Sequence, residues 1–122
     1  MMIAEQPTAP ATTLRTEAKS VVGDIFEGRY SDPNHLEGFR VISITGELDI
    51  ETGLRDGACV GSDRSSTVTS WTLPTKAGKG QDESDVIIID FSPKGGPKDL
   101  KGTFEVDGIR WSDGNKWTKV SQ

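Results

Sequence analysis

Apolar residues along this chain occur in short runs, and clusters of Gly, Asp, Asn and Pro separate these runs from residue 21 onward. Short runs rich in branched and aromatic side chains are typical of β-strands, and no window keeps the sustained 3.6-residue period of an amphipathic helix. The pattern therefore predicts an all-β fold of about eight short strands. The predicted strands cover residues 24–30, 39–45, 48–51, 67–73, 85–91, 102–106, 109–112 and 116–120.

The C-terminal third is predicted to be a three-stranded meander. The dipeptide Asp107-Gly108 favours a two-residue type I′ turn, which would pair Val106 with Ile109. The pairs further from this turn would then match in charge and in aromatic character, and matched cross-strand pairs stabilise a sheet.

Two further hairpins are predicted around three-residue loops. A loop at residues 45–47 would join two neighbouring strands in the middle of the chain, and a loop at 113–115 would set Trp111 opposite Trp117. Consecutive hairpins favour an up-and-down order of strands. We therefore expect a small antiparallel up-and-down barrel or a sandwich.

The chain is predicted to contain one folded domain and a tail. Residues 1–20 form a mostly irregular N-terminal tail with few apolar side chains to bury, although 13–22 is a weak helix candidate. Residues 21–122 form the β domain, and we expect polar loops at 53–66 and 76–84. We expect the tail to lie on a partner protein.

Composition narrows the possible partners. The 122-residue chain carries a formal net charge of −5, so bulk charge does not attract nucleic acid. The longest apolar run, residues 86–89, is far too short for a transmembrane segment, and the N-terminus lacks the apolar core of a secretory signal. The single cysteine, Cys59, cannot form a disulfide within the chain, and we expect a semi-buried thiol.

Asp32 and His35 are the first candidate site residues. His35 is the only histidine, and with Asp32 it could form an acid–base pair or part of a metal site. One histidine beside one carboxylate does not define a metal site, however, and Asp-Pro-Asn is typical of a turn. The turn is the stronger interpretation, and no metal or other cofactor is expected.

The segment around residues 92–98 carries two lysines within a Pro- and Gly-rich connection. It lacks the Gly-Lys-Ser/Thr ending of a phosphate loop. Lys94 and Lys98, with Lys101 close behind, are instead candidates for contact with an acidic partner.

The three tryptophans allow two interpretations. Trp111 and Trp117 could close one end of a barrel as core residues, or they could contact a flat ligand in a cleft. Trp71 shares a strand face with Leu73, so it is expected to face inward.

Three segments resemble a small domain of unknown function in plastid-targeted proteins of photosynthetic eukaryotes. They are 28–35 (GRYSDPNH), 86–97 (VIIIDFSPKGGP) and 109–119 (IRWSDGNKWTK). The first motif of that group often continues with Pro, where this chain has Leu36. The resemblance implies a chloroplast setting, with the thylakoid lumen as one option, and a tail that begins a mature protein after removal of a transit peptide. It implies no established activity.

Without a nucleophile elbow or a second histidine, the chain is not expected to be an enzyme. The leading hypothesis is a non-enzymatic accessory or scaffolding subunit that docks on a larger protein complex. By the resemblance, this would be a photosystem or antenna assembly, and the subunit would reach a membrane only through its partner. The alternative is a lipocalin-like barrel that binds a small ligand.

Overall fold

Eight antiparallel strands close into one barrel in the computed structural model, which describes residues 22–64 and 70–120. Each strand pairs with the next along the chain, and β1 pairs with β8. The all-β, up-and-down prediction is thus confirmed, and the sheet is a barrel. The strands are β1 (Gly28–Ser31), β2 (Phe39–Asp49), β3 (Leu54–Ser62), β4 (Trp71–Lys79), β5 (Asp85–Ile89), β6 (Leu100–Glu105), β7 (Gly108–Trp111) and β8 (Lys116–Lys119).

The predicted hairpin at 45–47 is wrong. β2 runs through these residues as one strand, and its register with β3 shifts between Ile44 and Leu48. Gly46 lies at this irregularity, where an added Cβ would come within 2.9 Å of the Asp56 nitrogen. The glycine therefore marks a bulge and a close approach of two backbones, as glycine within a strand often does.

The predicted loop at 53–66 is also wrong, because most of it is strand β3. This strand has few large apolar side chains, and small residues occupy inward positions such as Gly57 and Cys59. Likewise, the predicted loop at 76–84 begins too early, since β4 continues to Lys79.

The C-terminal meander is confirmed, but both of its registers differ from prediction by one residue at the turn. Phe104 pairs with Ile109, so the β6–β7 turn is formed by residues 106–107. Gly108 is needed in the strand, because a Cβ there would lie 1.9 Å from the Trp117 oxygen. Trp117 in turn pairs with Ile109 and not with Trp111.

One end of the barrel, called here the capped end, is closed by a short 3-10 helix (Asp24–Phe26) where a strand was predicted. Phe26 is fully buried, and its carbonyl accepts a hydrogen bond from the Tyr30 hydroxyl at 2.8 Å. Arg55 donates to the Asp24 carboxylate at 2.6 Å and to the Val22 carbonyl at 2.9 Å. Apart from Val22, which lies in a turn, the predicted tail and helix candidate fall outside the described residues.

Apolar side chains fill the barrel between its two ends. The inward positions alternate along each strand with outward polar ones, as the pleat of a half-buried sheet requires. The buried core consists of Phe26, Tyr30, Ile42, Ile44, Cys59, Leu73, Ala77, Ile87, Ile89, Phe91, Ile109, Trp111 and Trp117.

No helix among residues 22–64 and 70–120 is long and apolar enough to cross a membrane.

Candidate functional site

The opposite end, called here the cavity end, is built around Arg40, which is only 1% exposed. Arg40 follows the inward alternation of β2 with Ile42 and Ile44, so its side chain enters the barrel. One guanidinium nitrogen, Nη2, donates to Asp32 Oδ2 at 3.0 Å and to Asp63 Oδ1 at 2.8 Å. A buried charge needs such paired partners, since the desolvation of an unpaired ion costs roughly several kcal/mol.

The second terminal nitrogen of Arg40, Nη1, donates to the carbonyl oxygens of Ser62 at 3.0 Å and Phe39 at 3.1 Å. The guanidinium carbon lies 5.0 Å from the centre of the Trp71 ring and 5.1 Å from that of Trp117. Arg40 thus ties β2, the end of β3, β4 and β8 together through hydrogen bonds and cation–π contacts.

Asp32 is the main acceptor of this end and is 6% exposed. Its Oδ1 accepts from the Asn34 backbone nitrogen at 2.9 Å and from Asn115 Nδ2 at 3.1 Å. Burial by itself raises the pKa of Asp32, but the hydrogen bonds from Asn115 and Asn34 and the charge of Arg40 outweigh burial, so the pKa lies below its ordinary value. Asp32 is therefore an anion at neutral pH.

Three further side chains meet at the rim. Lys94 Nζ lies 2.9 Å from Asp63 Oδ2 and 5.0 Å from the centre of the Trp71 ring. His35 lies between the two carboxylates, with Nδ1 3.4 Å from Asp32 Oδ2 and Nε2 3.7 Å from Asp63 Oδ2. Burial raises the pKa of Asp63, but the hydrogen bonds and charges of Lys94 and Arg40 have the larger effect. The pKa of Asp63 therefore lies below its ordinary value.

A cavity of about 220 Å³ opens at this end. Aromatic and aliphatic side chains form one part of its wall, and charged or amide side chains form the other part. The rings of Trp111 and Trp117 are 4.9 Å apart at 70°, and Phe91 contacts both edge-on. The cavity is lined by Asp32, Asn34, His35, Arg40, Phe91, Lys94, Gly96, Pro97, Leu100, Trp111, Asp113, Asn115 and Trp117.

The structure brings most of the predicted site residues together. Asp32, His35, Lys94, Trp111 and Trp117 all line the cavity. The turn expected at Asp32 is confirmed by its Asn34 and His35 backbone hydrogen bonds, and Trp111 and Trp117 are buried core residues at the barrel end.

Lys98 and Lys101 do not join this group. Both are exposed and neither lines the cavity, and Lys101 pairs with Ile88 on the outer side of β6. The predicted set of three lysines therefore divides into one at the cavity and two elsewhere.

Sequence reasoning missed three members of the site: Arg40, Asp63 and Asn115. A signal for Arg40 was present, because it is a charged residue at the inward position of a strand whose other inward residues are isoleucines. Asp63 and Asn115 lie in loops. Asp63 reaches Arg40 through the pairing of β2 with β3, a strand that was not predicted, and Asn115 reaches Asp32 through the closure of β8 against β1.

Three buried donor atoms have no hydrogen-bond partner in the part of the chain that the structure describes. They are Arg40 Nε, Trp71 Nε1 and Trp111 Nε1, and all belong to the cavity end. An unpaired buried donor costs roughly 1–3 kcal/mol. Of the three residues, Arg40 and Trp111 line the cavity, so their unpaired atoms are candidates for contact with a bound molecule.

Cys59 lies deep in the barrel and is fully buried. Burial raises the pKa of its thiol to about 12, against smaller opposing effects of Arg40 and Lys94. The thiol is thus protonated at neutral pH and acts as a small apolar core group.

Among the described residues, no three His, Cys, Asp or Glu side chains are grouped so as to hold a metal ion.

Fold and site together describe an up-and-down barrel that is capped at one end and carries a charged and aromatic cavity at the other. Comparison of the chain with protein-family models, with curated proteins and with solved structures gives no match.

Proposed function

We propose that this protein is a non-enzymatic binding protein that holds a small molecule in the cavity at the cavity end. The observation that carries the proposal is the mixed wall of this cavity. Its lining combines apolar side chains of Phe91, Leu100 and Trp111 with polar groups of His35 and Lys94. Ligand sites in proteins commonly combine an apolar wall with a few placed polar groups.

The size of the cavity limits the ligand. The 220 Å³ volume holds about seven water molecules at their liquid volume, which is below the usual range for drug-sized ligands. Because the core side chains fill the barrel beneath, the ligand would sit at the mouth between the loops. A single-ring compound is the largest type of ligand that this space suits.

The contacts of Asp32 support binding over proton transfer. Its two oxygens accept from Asn34, Asn115 and Arg40, with His35 close by, and its pKa is lowered. A general acid needs a raised pKa near the working pH, and a buried, fully hydrogen-bonded carboxylate is suited to a structural role. The proposal of a non-enzymatic function rests on this arrangement.

A cavity-filling variant tests the proposal. Leu100 lines the cavity and packs against the core, so Leu100→Phe would place a ring in the space that the ligand needs. Screening of single-ring compounds by NMR should give shifts at the indole N–H of Trp111 in the wild type and none in L100F. Val60→Phe, on the exposed outer side of β3, is the matched control and should bind as the wild type does. Ligand shifts that persist in L100F would contradict the proposal.

Docking on a larger protein is a second candidate, favoured by two apolar side chains at turns of the capped end. Val106 is 100% exposed and Ile50 is 90% exposed. Exposed apolar side chains at loop tips are suited to an apolar surface of a partner protein. On the resemblance of the sequence motifs, the partner would be a photosystem or antenna protein of the chloroplast.

The docking candidate has its own test. The double variant Ile50→Ser with Val106→Ser should lose co-purification with a defined complex from photosynthetic membranes, whereas the wild type should keep it. Leu36→Ser is the matched control, since Leu36 is 75% exposed but belongs to the cavity end. Equal recovery by all three proteins would exclude docking through the capped end.

A further inference from the structure

We infer that the ligand of the cavity is a small carboxylic acid, bound as its anion, with an aromatic or branched apolar body. This inference rests on the proposed binding function and adds the chemical class of the ligand. It follows from two unpaired buried donors of cavity residues, from the position of Lys94, and from the apolar part of the wall.

Two buried donors of cavity residues lack an acceptor. The Asp32 carboxylate is already in use, because it accepts from Asn34, Asn115 and Arg40. In contrast, Arg40 Nε and Trp111 Nε1 have no acceptor within the described chain, and both residues line the cavity. A ligand that pairs with these donors must bring acceptor atoms.

Charge at the cavity does not oppose an anion. The side chains of Arg40 and Lys94 balance those of Asp32 and Asp63 through ion pairs of 2.8 to 3.0 Å. Asp113 is exposed at the rim, where solvent screens its charge.

Two side chains of the lining, Lys94 and His35, can donate hydrogen bonds to the ligand carboxylate. The Lys94 ammonium is 19% exposed and has donors beyond the one directed at Asp63, while His35 is 38% exposed. Hydrogen bonds to a charged group are stronger than neutral ones, so a carboxylate gains more here than a neutral acceptor does.

The apolar wall specifies the rest of the ligand. Phe91, Leu100 and Pro97 line the cavity beside the two tryptophans. An apolar ring or branched chain would bury its surface there while its carboxylate faces the donors. Benzoate has this shape, and benzamide is its neutral counterpart of nearly equal size.

Titration calorimetry with benzoate and benzamide tests the inference on the full chain. Benzoate should bind wild type about tenfold more tightly than benzamide, because a hydrogen bond to a charged acceptor is roughly twice as strong as one to a neutral acceptor. Trp111→Phe removes one unpaired donor and should weaken benzoate binding by roughly tenfold on the same basis. Trp71→Phe is the matched control: it also removes a buried unpaired indole N–H, but Trp71 does not line the cavity.

A second variant keeps the test independent of tryptophan packing. Lys94→Met keeps a long apolar stem and removes the ammonium, so it should weaken benzoate binding and leave benzamide binding unchanged. Equal affinity of wild type for the two compounds would overturn the inference while leaving the binding function in place. Absence of binding by either compound would overturn both the inference and a single-ring ligand.

Discussion

Arg40 places a charge inside a barrel that is otherwise filled mainly by apolar side chains. Its partners come from separate elements: Asp32 from the β1–β2 loop, Asp63 after β3, and the ring of Trp117 from β8. Of these contacts, the one with Trp117 forms only when β8 closes against β1. The energetic role of this residue can be measured directly.

Replacement of Arg40 by Met should reduce the free energy of unfolding by about 3–5 kcal/mol, because it leaves the buried Asp32 carboxylate without its charged partner. Urea denaturation measures this loss. Lys76→Met is the control, since its pair with Asp56 is exposed and should contribute no more than about 1 kcal/mol. A loss of similar size in both variants would show that the buried ion pairs of Arg40 stabilise the fold no more than the exposed pair of Lys76 does.

Asp32 predicts how stability depends on pH. Its pKa is lower in the folded protein than in the unfolded chain, because the hydrogen bonds from Asn115 and Asn34 and the charge of Arg40 outweigh burial. The resulting stability is therefore present above the unfolded pKa of about 3.9 and is lost as pH falls through the folded pKa.

The urea midpoint of the wild type should accordingly fall as the pH drops below about 4. Asp32→Asn should be less stable at neutral pH and should lose less on acidification. Asp113→Asn, at an exposed carboxylate of the same end, should follow the wild-type curve. Parallel curves for all three proteins would show that Asp32 is not a source of the acid sensitivity.

Among the elements, β2 and β3 show what the local sequence pattern of a strand can and cannot predict. The alternation of Ile42 and Ile44 was enough to predict a strand and its inward face. Gly46 was interpreted as a turn, although glycine also allows a bulge or a close backbone approach. β3 was missed because its inward positions hold small residues, which are selected by the bulk of side chains on neighbouring strands and not by strand propensity.

Gly61 shows this dependence on neighbouring strands. It pairs with both Arg40 and Trp71, and a Cβ there would lie 2.4 Å from the Phe39 oxygen and 2.6 Å from the Trp71 ring. Gly61→Ala should cost roughly 1–3 kcal/mol, as overpacking of a tight core does.

Gly80 supplies the matched control for this substitution. A Cβ at Gly80 would have Val86 Cγ1 at 3.2 Å as its nearest neighbour, a side-chain atom and not backbone, so Gly80→Ala should cost less stability than Gly61→Ala. Thermal unfolding of the two variants compares them. An unchanged melting temperature for G61A would mean that the Trp71 ring can move away without cost.

For the whole molecule, the up-and-down order and the C-terminal meander could be predicted because each depends on neighbouring segments of the chain. The closure of the barrel could not be derived in the same way, since β1 and β8 are separated by most of the domain. The cavity depends on that closure. Five residues of the candidate site were therefore predicted as isolated residues, while the contacts among them came from the structure.

The closing seam should also be the least protected part of the sheet. β1 and β8 share two registered pairs, whereas β2 and β3 share eight. Hydrogen exchange followed by NMR should show faster exchange for the amides of β1 and β8 than for those in the middle of β3, because short edges open locally at lower free energy. Uniform protection around the barrel would contradict this expectation.

The same seam between β1 and β8 determines the end of the barrel from which a linker would leave. β1 begins and β8 ends at the capped end, where Lys119 Nζ donates to the Ile25 carbonyl at 2.7 Å and the Val120 nitrogen donates to the Arg29 carbonyl at 2.9 Å. A linker joined to either side of the described barrel would therefore leave from the face opposite the cavity. Immobilised on a support through such a linker, the domain would present its cavity end to the solution and its capped end to the support.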